Sequence, residues 1–158
     1  EKNTLHAEMY IPEGDVRAVV QLAHGMIDYV GRYEALGIFL AEHGIAFVGN
    51  DHLGHGKTAA CPEDLGYFAD KNGYKLVVDD LYKMNTAIKQ EFPDIPVILF
   101  GHSMGSFIAR LFAEKYQGTL DNLILCGTGN CSLTALLGAG AAKLAELIKE
   151  MKEEYGIA

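Results

Sequence analysis

The chain has 158 residues, 49% hydrophobic and 22% charged, so it is long enough and apolar enough to bury a core of its own. Its net charge of −8 argues against nucleic acid or an anionic membrane surface as a partner, and no apolar run reaches transmembrane length. The three cysteines show no disulfide framework and the N-terminus shows no signal-peptide pattern, so a reducing, cytoplasmic location is predicted.

Hydrophobic periodicity predicts strands and helices that alternate along the chain. Apolar and polar residues alternate over 5–11, as in a half-exposed strand, whereas Val77, Leu81, Met84 and Ile88 recur every three or four positions, as in a helix. In chain order, the predicted elements are strands over 5–11 and 16–22, a helix over 33–43, a strand over 45–49, a helix through 77–88, a strand over 95–100, a helix through 107–112, a strand over 122–126 and a helix over 133–155.

This alternation predicts an α/β fold, a three-layer sandwich with a mainly parallel sheet covered on both faces. The helix over 33–43 is predicted to carry Leu36, Phe39 and Leu40 on one face. The irregular segment over 51–72 is the longest loop, and long loops over such sheets often line functional sites. With no repeat or linker, the chain is predicted to form a single domain over 1–158.

A G-x-S-x-G motif, Gly101-His102-Ser103-Met104-Gly105, stands between the strand over 95–100 and the following helix. This strand–turn–helix context is the one that the nucleophile elbow of serine hydrolases requires. Gly101 and Gly105 let the strand and the helix approach closely, and the helix N-terminus beside Ser103 favours developing negative charge. Ser103 is therefore the candidate nucleophile, and His102 is interpreted as a packing or loop-anchoring residue.

Together with this motif, two earlier segments make the chain resemble a known family. The first segment is HGMID (24–28) followed by GRY (31–33), and the second is DHLGHGKT (51–58). Both precede the GHSMG motif (101–105). In letters, order and intervals the chain resembles the monoacylglycerol lipase, lysophospholipase and serine aminopeptidase (S33-like) group of α/β-hydrolases. It departs from the family at Ser106, where relatives often have glycine.

The resemblance implies roles for particular residues. Ser103 would be the catalytic nucleophile, and the backbone N–H groups of Met26 and Met104 would form the oxyanion hole. His24 and Gly25 would let the first loop bring the Met26 N–H over the serine. The family continues through a lid and two further strands, so the chain is predicted to be the N-terminal part of the fold, truncated after the strand that follows the nucleophile helix, with 133–158 as the start of a lid or cap.

Every histidine of the chain precedes the candidate nucleophile. They are His6, His24, His43, His52, His55 and His102. In α/β-hydrolases the acid and the histidine of the triad follow the serine, so neither is expected in this sequence. Asp121 follows Ser103 but stands at the start of the next strand and is rejected as the acid. The chain alone is therefore expected to show little or no turnover.

Two other clusters of polar residues contain groups that can bind a ligand. Asp51, His52 and His55 could suggest a metal site, but their spacing fits no usual zinc pattern, so no metal or other cofactor is expected. Asp28 and Arg32 could bind substrate or could fix the loop between them by a hydrogen bond or an ion pair; the loop-fixing role is favoured.

The function that these residues favour is a serine hydrolase that cleaves small, lipid-like carboxylic esters, such as a monoacylglycerol or a lysophospholipid, through an acyl-enzyme on Ser103. Alternatives remain: a non-catalytic half-domain that binds a ligand or partner, an enzyme whose histidine comes from another chain, and an aminopeptidase-type amide hydrolase. Truncation would leave the strand over 122–126 with an open edge, so the chain is predicted either to form homo-oligomers through this edge or to lack a partner segment that completes the sheet.

Overall fold

The computed structural model describes residues 4–129. Contacts divide the chain into two compact units, Glu1–Thr128 and Gly129–Ala158, and the account below concerns the first. The predicted helix over 133–155, and its interpretation as the start of a lid or cap over 133–158, lie outside the described residues.

The elements alternate as the hydrophobic pattern predicts. The five strands, β1 to β5, are Ala7–Tyr10, Ala18–Ala23, Ile45–Asn50, Val97–His102 and Asn122–Cys126. The three α-helices, α1 to α3, are Glu34–Glu42, Gly73–Glu91 and Met104–Lys115, and single 3-10 turns lie at Val30–Tyr33, Gly56–Thr58 and Pro62–Asp64. The last two turns interrupt the segment that was predicted to be one long loop.

The five strands form one sheet in the order β1-β3-β2-β4-β5. Strands β2 to β5 pair in parallel, and β1 pairs with β3 in the antiparallel direction. A helix joins each strand from β2 onward to the next, as parallel pairing requires, whereas the short connection from β1 to β2 contains no helix. The prediction of a mainly parallel sheet is confirmed.

Helices cover both faces of the sheet, which confirms the three-layer α/β architecture. On one face, α1 packs through Leu36 and Leu40 against a cluster that contains Leu22 and Phe47. The opposite face packs against α2 and α3, and its largest fully buried side chains include Leu81, Leu99 and Phe112. Successive strand residues point to opposite faces, so the almost unbroken apolar sequence of β2 and β4 serves both layers.

The outer end of α1 differs from its prediction. Phe39 was expected to pack with Leu36 and Leu40, but it is 55% exposed and its ring lies 4.3 Å from that of His43.

Strand β5 is also less covered than its apolar sequence suggests, since Leu123 and Ile124 are exposed and β5 pairs only with β4 among the described strands. Association through this edge stays a prediction. No helix within residues 4–129 is long and apolar enough to cross a membrane.

Candidate active site

Ser103 lies at a sharp turn between β4, which ends at His102, and α3, which begins at Met104. Its backbone has φ 51° and ψ −119°, a positive-φ conformation that residues other than glycine rarely adopt. Such a conformation costs on the order of 1–3 kcal/mol and persists only where the surroundings impose it. The Ser103 side chain is exposed, so the turn presents its hydroxyl to solvent.

The two glycines of the motif allow this turn because they bring α3 against the sheet. A Cβ on Gly101 would lie 2.6 Å from the carbonyl oxygen of Gly105 and 2.8 Å from Cβ of Ala109. A Cβ on Gly105 would overlap the carbonyl oxygen of Ala23 at the end of β2. Both positions therefore exclude any side chain.

Hydrogen bonds hold the backbone of Ser103 on both sides. Its N–H donates to the carbonyl oxygen of Cys126 at 2.9 Å. Its carbonyl oxygen accepts from the Ser106 N–H at 2.9 Å and from the Ser106 hydroxyl at 2.6 Å. Ser106 is fully buried, so its hydroxyl does not reach the cavity. Where relatives often have glycine, this serine adds a hydrogen bond to the backbone of the nucleophile.

The loop that follows β2 passes directly beside the nucleophile. A Cβ on Gly25 would lie 3.3 Å from Cβ of Ser103. Gly25, Met26 and Ser103 line a cavity of about 300 Å³. Among residues 4–129, no group accepts a hydrogen bond from the backbone N–H of Met26 or of Met104. These two donors belong to the two segments that meet at Ser103.

Asp28 holds this loop together. Its carboxylate accepts hydrogen bonds from the Tyr33 hydroxyl at 2.7 Å, from the Tyr29 N–H at 3.0 Å and from the Gly25 N–H at 3.4 Å. Arg32 forms an ion pair with it at 3.6 Å. The loop-fixing role is thus visible, and both side chains also line the cavity, so contact with a ligand stays open.

His102 turns away from its neighbour's hydroxyl and toward the same loop. Its Nδ1 lies 3.0 Å from the Tyr33 hydroxyl oxygen and 3.8 Å from Oδ2 of Asp28. Burial, and after it the hydrogen bond to Asp28, raises the pKa of Tyr33 well above its ordinary value, so the phenol keeps its proton. The sequence pattern did not single out Tyr33, although the GRY segment contains it.

His24 supports Gly25 from within the core. It is fully buried, its Nδ1–H donates to the carbonyl oxygen of Gly25 at 2.8 Å, and its Nε2 accepts from the His52 backbone N–H at 2.9 Å. The His52 ring returns a hydrogen bond from Nε2–H to the His24 carbonyl oxygen at 3.2 Å. These bonds assign both tautomers and attach the 51–58 segment to the loop beside Ser103.

Burial keeps these imidazoles neutral. It lowers the pKa of His24 to about 4 and lowers the pKa of His52 and of His55 as well. The His24 ring lies 4.0 Å from that of His52 and 5.4 Å from that of His55, so a proton on one of them disfavours a proton on the others.

We therefore expect acid to destabilise the fold. In the unfolded chain a histidine has a pKa near 6.5, above the native values, so the unfolded state binds protons first and stability falls between pH 6.5 and about 4. For His24 alone this pKa difference corresponds to about 3 kcal/mol. Urea unfolding at pH 7, 6, 5 and 4.5 measures the loss. A free energy of unfolding that stays constant over this range would contradict the expectation.

The 51–58 segment is structural. The Asp51 carboxylate is buried and accepts hydrogen bonds from the Val30 N–H at 2.7 Å and from the Lys57 N–H at 2.8 Å. Gly56 has φ 48°, and a Cβ there would overlap the Asp51 carboxylate. Within residues 4–129 no group of three or more histidine, cysteine or acidic side chains has the arrangement that could hold a metal ion.

Asp121 lies at the wrong end of the sheet for a triad acid. Its Oδ2 accepts a hydrogen bond from the Val97 N–H at 2.8 Å, at the start of β4, whereas Ser103 follows the end of that strand. A strand of this length separates them by roughly 17–20 Å. The acid is therefore not Asp121.

No histidine of the chain bonds to the Ser103 hydroxyl. His6 contacts Glu8 at 3.0 Å, and His43 donates to the Phe39 carbonyl oxygen at 2.7 Å. His24, His52 and His102 form the hydrogen bonds described above, and Nδ1 of His55 lies 2.9 Å from the Leu53 carbonyl oxygen. Within the described residues no side chain forms a hydrogen bond with the Ser103 hydroxyl.

Comparison with known proteins gives consistent results. The family model described as serine aminopeptidase, S33, matches residues 14–155. The chain is 27% identical to a monoglyceride lipase of Rattus norvegicus over 147 residues, covering 91% of this chain and 46% of that protein. It is 30% identical to a monoglyceride lipase homolog of Monkeypox virus over 152 residues, covering 91% of this chain and 50% of that protein. The chain thus spans about half the length of the curated relatives it matches.

A solved structure supports the same grouping. A highly thermostable carboxyl esterase from Bacillus coagulans, solved in complex with glycerol, superposes with a TM-score of 0.78 at 34% identity. The match covers 97% of this chain and 47% of that one.

Proposed function

Because the chain belongs to the serine aminopeptidase (S33) family of α/β-hydrolases, we propose that it carries the nucleophile of a hydrolase that cleaves carboxylic esters through an acyl-enzyme on Ser103. The observation that supports this most directly is the strained, exposed Ser103 at the end of β4, beside a cavity that the Gly25 loop also lines. A strained residue at a strand–helix turn is the arrangement that presents a serine hydroxyl to an incoming carbonyl.

The proposed reaction follows from the groups around the cavity. The Ser103 hydroxyl attacks the ester carbonyl, and the backbone N–H groups of Met26 and Met104 stabilise the negative charge that develops on the carbonyl oxygen. The tetrahedral intermediate then expels the alcohol, which leaves the acyl group on Ser103, and water releases the acid. The unpartnered N–H groups and the N-terminus of α3 support this assignment.

A histidine and an acid are needed to remove and return the proton. We propose that residues outside this 158-residue chain supply them, because none of the six histidines, all of which lie within residues 4–129, forms a hydrogen bond with the Ser103 hydroxyl. The chain alone should then turn over slowly.

The proposed substrate is a small, lipid-like ester such as a monoacylglycerol. The support is the name of the relatives, monoglyceride lipase, together with the carboxyl esterase fold of the solved structure. The family description also includes aminopeptidases, so an amide is the competing substrate class. A cytoplasmic location remains a prediction from the sequence, whose three cysteines show no disulfide framework.

Acyl transfer to Ser103 tests the proposal. In a preparation with measurable turnover, we expect rapid acid quenching of the reaction with a p-nitrophenyl ester to trap one acyl group on the protein, and peptide mapping by mass spectrometry to find it on Ser103. An anilide of the same acid should react far more slowly, because its leaving group is poorer and the proposed site is an esterase. Acylation confined to another residue would overturn the nucleophile assignment, and faster reaction of the anilide would favour the amide hydrolase.

A further inference from the structure

We propose that the buried His24 ring is an acid-sensitive switch: a proton on its Nε2 releases the Gly25–Met26 peptide, whose N–H is the proposed oxyanion donor, from its present orientation. The part that concerns the oxyanion rests on the proposed function. The part that concerns the peptide rests on the hydrogen bonds and the burial of His24, Gly25 and His52.

A hydrogen bond from His24 fixes the direction in which this peptide faces. The ring donates from Nδ1–H to the Gly25 carbonyl oxygen at 2.8 Å. The Gly25–Met26 peptide is planar and trans, so its carbonyl oxygen and its N–H point in opposite directions. Because the buried ring holds the oxygen toward the core, the Met26 N–H faces the other way, and within residues 4–129 no group accepts a hydrogen bond from it.

A proton can enter the His24 ring at one atom only. Nδ1 already carries the hydrogen that it donates to Gly25, and Nε2 accepts the backbone N–H of His52 at 2.9 Å. Protonation of Nε2 would set a hydrogen against the hydrogen of that N–H, so an attraction becomes a repulsion. The imidazole ring is rigid, and moving Nε2 away from His52 therefore also moves Nδ1 relative to the Gly25 carbonyl oxygen.

The groups around the ring do not compensate a new positive charge. The titratable groups that face it are His52, His55, Asp28 and Asp51. Both carboxylates accept hydrogen bonds from other groups, and among the described residues neither bonds to His24. Nδ1 of His52 and Nε2 of His55 are buried and lack a hydrogen-bond partner within 4–129, so a proton placed on either would find no acceptor there. Burial is the largest effect and lowers the pKa of His24 to about 4.

The loop is strained directly after this peptide. Ile27 has φ 54°, a conformation that β-branched residues rarely adopt. Its side chain is 56% exposed, so packing does little to hold it there. A strained conformation persists only where the surroundings impose it. Loss of the hydrogen bond from His24 to Gly25 removes one of these constraints and lets the loop relax.

The direction of the pH dependence follows from two pKa values. In the closed loop, which is the arrangement described above, burial lowers the pKa of His24 to about 4. In an open loop the ring meets water and its pKa returns toward about 6.5. The open form binds the proton more tightly, so the closed form prevails above pH 6.5 and the open form gains population as the pH falls toward 4. The midpoint of opening should lie between these two values.

Amide and imidazole ¹⁵N NMR of the chain between pH 7.5 and pH 4 tests the switch. We expect the Met26 amide, the His52 amide and the His24 ring nitrogens to titrate together with one midpoint. The Val48 amide, which lies in β3 in a fully buried residue, should keep its chemical shift and so show that the sheet is intact. A Met26 amide that stays constant until the Val48 signal is also lost overturns the proposal, because acid then unfolds the chain without a separate opening.

His24→Asn removes the titrating group and keeps the hydrogen bond, because the Asn side-chain amide can donate to the Gly25 carbonyl oxygen as Nδ1–H does. We expect the Met26 amide of this variant to lose its pH dependence. His43→Asn is the matched control, since His43 also donates from Nδ1 to a backbone carbonyl oxygen but lies at the other end of β3, and it should leave the Met26 titration unchanged. An unchanged Met26 titration in His24→Asn overturns the proposal, and if this variant does not fold, the titration of the unaltered chain still decides.

Ester hydrolysis tests the oxyanion part in a preparation with esterase turnover. The measured quantity is kcat/KM of His24→Asn divided by kcat/KM of the unaltered protein, a ratio in which the groups that carry the proton during catalysis titrate equally and cancel. Loss of one oxyanion donor lowers kcat by about 10²–10³-fold. One pH unit below the midpoint of opening, about one molecule in eleven is still closed, so we expect the ratio to rise by about tenfold between pH 7.5 and that pH.

The two parts fail separately. A constant ratio, in a protein whose Met26 amide does titrate, overturns the control of catalysis by the switch. Failure of both proteins to hydrolyse an ester at pH 7.5 contradicts the proposed function instead, and the NMR titration still decides whether His24 controls the peptide.

Discussion

Replacing Ser103 by alanine is expected to lower kcat for ester hydrolysis by about 10⁶-fold, the loss seen when a serine hydrolase loses its nucleophile. The alanine variant keeps the cavity and the N–H donors but has no atom that can form the acyl-enzyme. Its remaining rate would come only from substrate binding and the oxyanion hole. The measurement is kcat for a p-nitrophenyl ester in a preparation with measurable turnover, with near-ultraviolet circular dichroism to show that the fold is unchanged.

Ser106→Ala is the matched control for this variant. Ser106 lies three positions further along α3, is fully buried and does not line the cavity. Its removal costs one hydrogen bond to the Ser103 carbonyl oxygen and should change kcat by less than about tenfold. If Ser103→Ala retained a rate close to that of the unaltered protein, another residue would have to be the nucleophile.

Replacing Gly105 by alanine is expected to destabilise the fold by roughly 3 kcal/mol, at the upper end of the cost of overpacking. The added Cβ would overlap the carbonyl oxygen of Ala23 and lie 2.6 Å from that of His24. Ala23 pairs with Gly101 inside the sheet, so its backbone cannot move without breaking the sheet. The helix must then move outward, and it carries the N-terminus beside Ser103 with it.

Thermal unfolding measures this effect, and we expect the melting temperature to fall by roughly 10 °C. Gly14→Ala is the control, because a Cβ on Gly14 would have no atom within 4 Å and its φ is not positive. Its free energy of unfolding should change by less than about 0.5 kcal/mol. Equal stability of the two variants would show that α3 does not press on β2 as the structure indicates.

Local sequence predicted the elements well because apolar spacing follows secondary structure directly. The strands and helices before Gly129 all appear, with ends that move by a few residues. The pattern could not predict which apolar side chain remains exposed to solvent, as Phe39 does, because this exposure depends on where the neighbouring element ends. Gln21 shows the reverse case: a polar residue in an apolar strand, it is buried because its amide donates to the Leu81 carbonyl oxygen at 2.8 Å and accepts from Asn85 at 3.0 Å.

In the candidate site, too, local sequence identified some residues and missed others. Ser103, Gly101 and Gly105 could be identified because a strand–helix turn imposes its demands within five residues. The contact between Tyr33 and His102 joins positions 69 apart, and no local pattern encodes a partner at such a distance. The sequence offered only the GRY segment as an indication that something there mattered.

The hydrogen bond from the Ser103 N–H to the Cys126 carbonyl oxygen links the nucleophile to the order in which the ribosome delivers the chain. Cys126 belongs to the last strand of the described sheet and leaves the ribosome after α3 is complete. Until β5 pairs with β4, the hydrogen bond on the N–H side of Ser103 is absent, so we expect the strained backbone of the nucleophile to be held less firmly in a nascent chain than in the complete sheet.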